Sequence, residues 1–413
     1  MVSLPIYLDN NATTRTDPRV VEAMLPYFAE VYGNAASRGH GFGWAAEEAV
    51  AKARTQVAGL IGADPREIVW TSGATEADNL ALKGVMERYA DKGDHLVTVT
   101  TEHRAVLDAA KHLEATGHRV TYLGVDGQGR IDLNALEDAL TDRTVLVSVM
   151  MGSNEVGTLQ PLAEIGALCG ARGVLFHTDA TQGVGKMPVS VQNLPVDLMS
   201  FTAHKMHGPK GVGALYVRRR APRVQLSAQM DGGGHERGMR SGTLNVPGIV
   251  GFGQAAEICQ NELANEQDGE LAYLTRLRDR LIRGVLETID GTALNGHPTE
   301  RLPHNANIAF EGVEGDALLS ALPEVALSTG SACSSESLEP NYVLRALGMS
   351  DARAYSSLRF GVSRFTTDEE IDYVLDRLPD AVTRLRRLSA TRTPAPTGGA
   401  GLPETALAGM GTR

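Results

Sequence analysis

From residue 44 to residue 217 the chain alternates stretches of helical apolar spacing with short, mostly apolar runs, and few architectures accept that rhythm. The stretch WAAEEAVAKARTQVAGLIGA puts Val50, Ala53, Val57 and Leu60 on one helical face. Strands are predicted at 67–71, 96–101, 119–125, 144–150, 174–179, 197–203 and 213–217, with helix-like segments between several of them. Runs this apolar must be buried on both faces. The prediction is therefore α/β: a mostly parallel sheet covered by helices, with ligands taken outside the carboxyl ends of the strands. Beyond residue 260 a charged amphipathic segment, NELANEQDGELAYLTRLRDRLIRGVLETI, reads as a connecting helix into a second unit. That unit has predicted strands at 305–310 and 358–362 and a late helix at 368–377. The final stretch, TRTPAPTGGAGLPETALAGMGTR, has the Pro, Gly and Thr content of a disordered tail.

Composition narrows the function classes. Lys+Arg 39 against Asp+Glu 50 leaves a formal charge of −11, which repels nucleic acid and anionic lipid. The run Arg218, Arg219, Arg220 is too short to reverse that. No stretch approaches the roughly 18 apolar residues that cross a bilayer, and the N-terminal sequence does not read as a secretion signal. Cys169, Cys259 and Cys333 lie too far apart for a zinc knuckle or a disulfide framework, so a reducing, cytoplasmic setting is expected.

Five predicted strand ends carry chemistry. In VDLMSFTAHKMHGPKGVGALYV a strand runs into Thr202, Ala203, His204 and Lys205 before a glycine-rich return. An isolated lysine is ordinarily solvated, but partial burial here lowers its proton affinity toward the neutral amine that forms a Schiff base. Lys210, inside the glycine-rich turn, is the competing lysine. His204 and His207 resemble a metal pair without further ligands at zinc spacing. In IVWTSGATEADNLALKGV a strand meets Ser72, Gly73, Ala74 and Thr75 at a helix start, where unpaired N–H groups attract phosphate, although Thr75 is equally an N-cap type. In VLFHTDATQGVGK, Asp179 ends a strand and Gln182 follows; a carboxylate there pairs with a pyridinium or simply caps a helix. His103 and Asn154 each lie just past a strand. Together these residues describe a pyridoxal 5'-phosphate site better than any other cofactor site.

At those positions the sequence resembles the fold-type I, class V aminotransferase-like family and, within it, the cysteine desulfurases of IscS and NifS type. YLDNNATT, TSGATE, TEHRAVL, HTDATQ, AHKMHGPKG, ERGMRSGT, STGSACSS, SLEPNYVLRALG and SRFTT carry the likeness through residues 7–385. The resemblance implies a large cofactor-binding domain at 15–260 and a smaller α+β domain from 1–14 with 261–388, which carries the Cys333 loop. It assigns Lys205 to the cofactor linkage, Asp179 to the pyridine nitrogen, Gln182 to the ring phenolate and His103 to ring stacking and proton transfer. Ala74, Thr75, Thr202 and His204 would hold the phosphate, joined by Thr243 of a second subunit in a homodimer. Asn154 would stand beside cofactor and substrate, Asn34 and Arg359 would take the carboxylate of L-cysteine, and Cys333 would receive the sulfur as a persulfide. An iron-sulfur scaffold or another sulfur acceptor follows as partner, with a selenocysteine lyase or an aminotransferase as the alternative activity. Ala35 stands where the family pattern has proline, Glu336 where it has a small residue, and the tail looks closer to the NifS branch.

Overall fold

A computed structural model describes residues 2–220, 223–265, 267, 269–329 and 340–392. Cys333, Glu336 and the tail from 393 onward lie outside the described residues. Thirteen strands are present among those residues: β1 (Ile6–Tyr7), β2 (Ile68–Thr71), β3 (His95–Val99), β4 (Arg119–Leu123), β5 (Thr144–Ser148), β6 (Leu175–Asp179), β7 (Leu198–Thr202), β8 (Gly213–Val217), β9 (Thr292–Asn295), β10 (Asn305–Phe310), β11 (Val325–Ala326), β12 (Ser328–Thr329) and β13 (Ser357–Gly361).

The principal sheet has seven strands in the order β2-β8-β7-β6-β5-β3-β4. Pairings from β7 through β6, β5 and β3 to β4 are parallel, while β8 runs antiparallel to both β2 and β7. Every strand but β8 therefore points the same way, and the carboxyl ends of β2, β3, β5, β6 and β7 share one edge. All residues of β2, β3, β5, β6, β7 and β8 are buried. Helices supply that cover, among them Gly41–Leu60, Ala74–Arg88, Arg104–Ala115 and Val246–Leu263. Two apolar clusters, one around Trp70, Phe176, Phe201 and Phe252 and the other around Leu80, Leu96 and Leu146, include side chains from the sheet and from these helices.

A separate core gathers Ile6 and Leu8 with Leu277, Leu281, Ile308, Phe310, Phe360 and Leu378. It is built on the four-stranded sheet β12-β13-β10-β9 and on helices Glu270–Thr288 and Asp368–Arg392. The N-terminal segment thus begins in this second core and crosses to the large sheet.

Two helical expectations need correction. The charged segment after 260 is two helices, since Val246–Leu263 ends there and Glu270–Thr288 starts afresh from Gly269. The late helix runs on to Arg392 through Pro379. A proline inside a helix costs about 3 kcal/mol, but Ile371, Val374, Leu378, Ala381 and Val382 bury their faces in the second core. Each large side chain of that set returns roughly 1.5–3 kcal/mol, so burial outweighs the lost hydrogen bond. Among the described residues no helix is long and apolar enough to cross a membrane.

Candidate active site

Where β7 ends, a single 3-10 turn, Ala203–Lys205, carries Lys205 to the sheet's carboxyl edge. Its Nζ donates to the carbonyls of Asn11 (2.6 Å) and Ala12 (2.7 Å), so the crossing N-terminal segment holds the amine in place. Return of the chain toward β8 depends on Gly213: a Cβ there would stand 2.6 Å from Gly73 Cα. Strand end, lysine and the 72–75 loop are therefore packed as one unit.

That loop opens helix Ala74–Arg88, and no side chain caps its first turn. N–H groups left without partners at a helix start favour an anion, and the helix dipole adds to that preference. The alternative that Thr75 caps this helix is not met, because Gly73 is the N-cap. Glu76, in the same turn, could oppose an anion. Burial raises its carboxyl, but Arg240 (2.7 Å) and the Ser72 N–H (2.7 Å) overcome this and hold it below its ordinary value, with its charge already paired.

Asp179 closes β6, buried, with Oδ1 accepting from Thr181 N at 2.9 Å. Beneath it lie two more carboxyls, Asp78 and Glu102. Burial first, and then the charge of Asp179, pushes both well above the carboxylate range. His177 bridges Ser148 Oγ (2.8 Å) and Ser200 Oγ (2.9 Å) across β5, β6 and β7, and burial brings its imidazole down to about 3. The floor of the site is thus polar but neutral around one aspartate. Gln182 is fixed by Nε2 donating to Asn11 O (3.0 Å) and by Oε1 beside His304 Nε2 (3.2 Å).

His103 is the N-cap of helix Arg104–Ala115, and its Nδ1 accepts from Ala105 N at 3.2 Å. An accepting Nδ1 assigns the ring proton to Nε2. His204 Nδ1 meets Thr13 Oγ1 at 3.1 Å; burial, then the cations Lys205, Lys210 and Lys186, bring its imidazole down to about 4. His207 goes elsewhere, to Arg15 O, so the two histidines do not act as a pair.

A cavity of about 740 Å³ is lined by Ala74, Thr75, His103, Asn154, Asp179, Gln182, Thr202, His204, Lys205 and Arg359, bringing together ten of the predicted residues. Lys210 lines it too. Asn34 and Thr243 do not: both are exposed, and Asn34 Oδ1 accepts from Ala36 N. A second cavity of about 630 Å³, beside Leu60, Met151, Met187 and Leu263, holds none of the predicted residues. The larger one is the candidate chemical site, because the amine, imidazoles and carboxylate line it.

Several participants escaped the sequence reading. Asn11 and His304 orient Gln182. Asp9 and Glu155 bind Arg359. Lys186 is buried with an Nζ that lacks a partner among the described residues, and burial, then the charge of Lys205, brings it down to about 7. YLDNNATT was the available signal for Asp9 and Asn11; the others carry no local signature.

The donor set fits pyridoxal phosphate. The uncapped helix start with Thr202 and His204 suits the phosphate, Asp179 the pyridine nitrogen, Gln182 the phenolate and Lys205 the aldehyde carbon. The aminotransferase class-V family matches residues 6–374. A curated relative described as cysteine desulfurase IscS, from Anaeromyxobacter sp. (strain Fw109-5), is 57% identical over 388 residues, covering 94% of this chain and 95% of its own. A solved structure described as a NifS-like protein superposes with a TM-score of 0.84 at 38% identity, over 92% of this chain and 100% of that one. Another, described as SspA in complex with cysteine, gives 0.77 at 34% identity over 88% and 100%. Since the match runs through both cores and nearly the full length of these relatives, the chain belongs to the aminotransferase class-V family.

Proposed function

We propose that the protein is a cysteine desulfurase that converts L-cysteine to L-alanine and passes the sulfur to Cys333. The observation that carries this is the single cavity in which Lys205, Asp179, Gln182 and His103 converge, in a chain 57% identical to a relative of that description. Pyridoxal phosphate, when bound, supplies the electron sink that makes the substrate's Cα proton removable. Asp179 would pair with the pyridine nitrogen. Lys205 Nζ and His103 Nε2 are the atoms placed to move protons. Arg359 takes the substrate carboxylate, since charge-assisted hydrogen bonds of this kind are worth about 1.5–3 kcal/mol each. Cys333 thiolate attacks the substrate sulfur: the new S–S bond forms, the C–S bond breaks, its electron pair goes to Cβ, and a proton completes alanine. The persulfide then passes to an acceptor, an iron-sulfur scaffold or a thiolation enzyme.

Residues 15–260 form the cofactor-holding domain and 1–14 with 261–388 the smaller one, a division supported by the separate cores. The two described cysteines are free thiols, in keeping with a cytoplasmic setting.

The purified holoenzyme is expected to yield alanine and sulfane sulfur in equal amounts from L-cysteine, with no keto acid required. Dependence on a keto acid acceptor would make it an aminotransferase, and activity on selenocysteine alone would make it a selenocysteine lyase.

The working unit is a homodimer. Val21, Leu25, Phe28, Tyr32, Phe42 and Trp44 are all at least 43% exposed, an apolar series of the kind that marks an interface. Thr243, outside its own cavity, is available to a partner's phosphate site. Lys205→Ala and Thr243→Ala homodimers should both be impaired, whereas their mixed dimer regains one intact site and about half of the wild-type rate. A mixed dimer that forms and stays as inactive as its parents would remove the shared-site reading.

A further inference from the structure

Arg359 is the enclosed guanidinium of the cavity wall. It sits on β13, in register with Asn307 of β10 and Ser328 of β12, and is 4% exposed. Two carboxylates bind it. Glu155 Oε1 accepts from NH1 at 2.8 Å; both side chains are buried, and the same oxygen accepts from Asn154 Nδ2 at 2.6 Å. Asp9 Oδ1 accepts from NH2 at 3.1 Å and from Ser328 Oγ at 2.8 Å. The two acids differ in one respect. Glu155 is enclosed and does not line the cavity, whereas Asp9 is on the cavity wall with 19% of its side chain exposed.

One guanidinium therefore faces two carboxylates before any substrate arrives, and one of them, Asp9, borders the cavity, with the cations Lys205 and Lys210 elsewhere on its wall. We propose that Asp9 is a specificity-determining residue: its carboxylate shares Arg359 with an incoming amino acid's carboxylate and disfavours substrates that bring a second anionic group at Cβ. This rests on the reading of Arg359 as the substrate-carboxylate site. A neutral thiol at Cβ adds no charge and is accepted. A sulfonate or carboxylate there places a further anion in a partly desolvated space whose one enclosed guanidinium is already shared, and like-charge repulsion in such surroundings is far stronger than in water. Charge of this kind selects against a competitor without any added contact to the correct substrate.

The test compares two probes that lack a thiol, L-alanine and L-cysteate, by spectral titration of the holoenzyme. Wild type is expected to prefer alanine. Asp9→Asn keeps acceptors for Ser328 and Arg359 but removes the charge, and should narrow the alanine-to-cysteate affinity ratio about tenfold, mainly by tighter cysteate binding. An unchanged ratio, including a parallel loss of both affinities, would show that Asp9 is only structural and overturn the proposal. Should the variant fail to load cofactor, the wild-type ratio read from low to high salt decides: screening should narrow it, and a ratio indifferent to salt overturns the idea. Arg359→Gln separates the two layers, because undiminished alanine affinity in that variant refutes the carboxylate role of Arg359 itself, whatever Asp9 does.

Discussion

Lys205→Ala is expected to abolish the covalent hold on pyridoxal phosphate and to lower turnover by roughly 10³-fold or more, while the fold survives. The amine donates to the carbonyls of Asn11 and Ala12, which belong to a backbone segment held by other bonds: Thr14 N to His204 O (3.0 Å) and Asp17 N to His207 O (2.9 Å). Losing the side chain removes chemistry and leaves the N-terminal crossing anchored. Borohydride reduction of the wild-type holoenzyme should fix the cofactor on the peptide that contains Lys205. Lys210 lines the same cavity and is the control. Label on Lys210, or a Lys205→Ala enzyme that still turns over at the wild-type rate, would move the site. Lys205→Arg sharpens the comparison, since it keeps donors for the two carbonyls but cannot form the Schiff base. It is expected to be as inactive as the alanine variant.

Strand-end chemistry was legible because a buried parallel strand is a short apolar run with an abrupt polar end. Asp179, Thr202 and the Ser72–Thr75 loop all follow that pattern, and each predicted strand lies within two residues of its place. Direction was less legible. β8 reads like its neighbours, yet it runs antiparallel, because the turn at Gly208–Gly213 is too short for a crossover. Partners of the site residues were the least legible part. Asp9 and Glu155 reach Arg359 from 350 and 204 residues away, and His304 reaches Gln182 across 122. No local periodicity records such meetings. Lys186 escaped for a related reason: a buried lysine inside VGK has the same local sequence as a solvated one. Asn34 and Thr243 are the opposite case, conspicuous by resemblance but absent from the cavity lining of their own chain.

The chain has three cysteines, and Cys333→Ala is expected to retain cofactor and bind L-cysteine yet lose persulfide formation, with desulfuration falling by about 10³-fold. The structure narrows the candidates through the other two. Cys169 packs in the large core on helix Leu162–Ala171. Burial, with Asp197 adding to it, pushes its thiol up to about 12. Cys259 is fully buried on helix Val246–Leu263, where burial lifts the thiol to about 12 even though Arg364 NH2 lies 3.1 Å from its sulfur. Neither is a thiolate at neutral pH, and neither lines the cavity. Cys333 lies outside the described residues, within LSTGSACSSESLEP, and the chain on either side of it is held at the site. Before it, Ser328 lines the cavity and bonds Asp9. After it, Tyr342 Oη donates to the carbonyl of Glu102 at 2.6 Å, one residue from His103, with the Arg104 guanidinium 4.5 Å from its ring centroid. Both anchors therefore lie against the elements that carry Arg359 and His103. Brief alkylation of the native enzyme at neutral pH should modify Cys333 alone, and Cys169 and Cys259 should react only on unfolding. Mass spectrometry after a pulse of L-cysteine should find the added sulfur on the Cys333 peptide. Sulfur on Cys169 or Cys259, or wild-type desulfuration by Cys333→Ala, would overturn the assignment. In the latter case the enzyme would be a lyase that releases sulfide without a protein-bound persulfide.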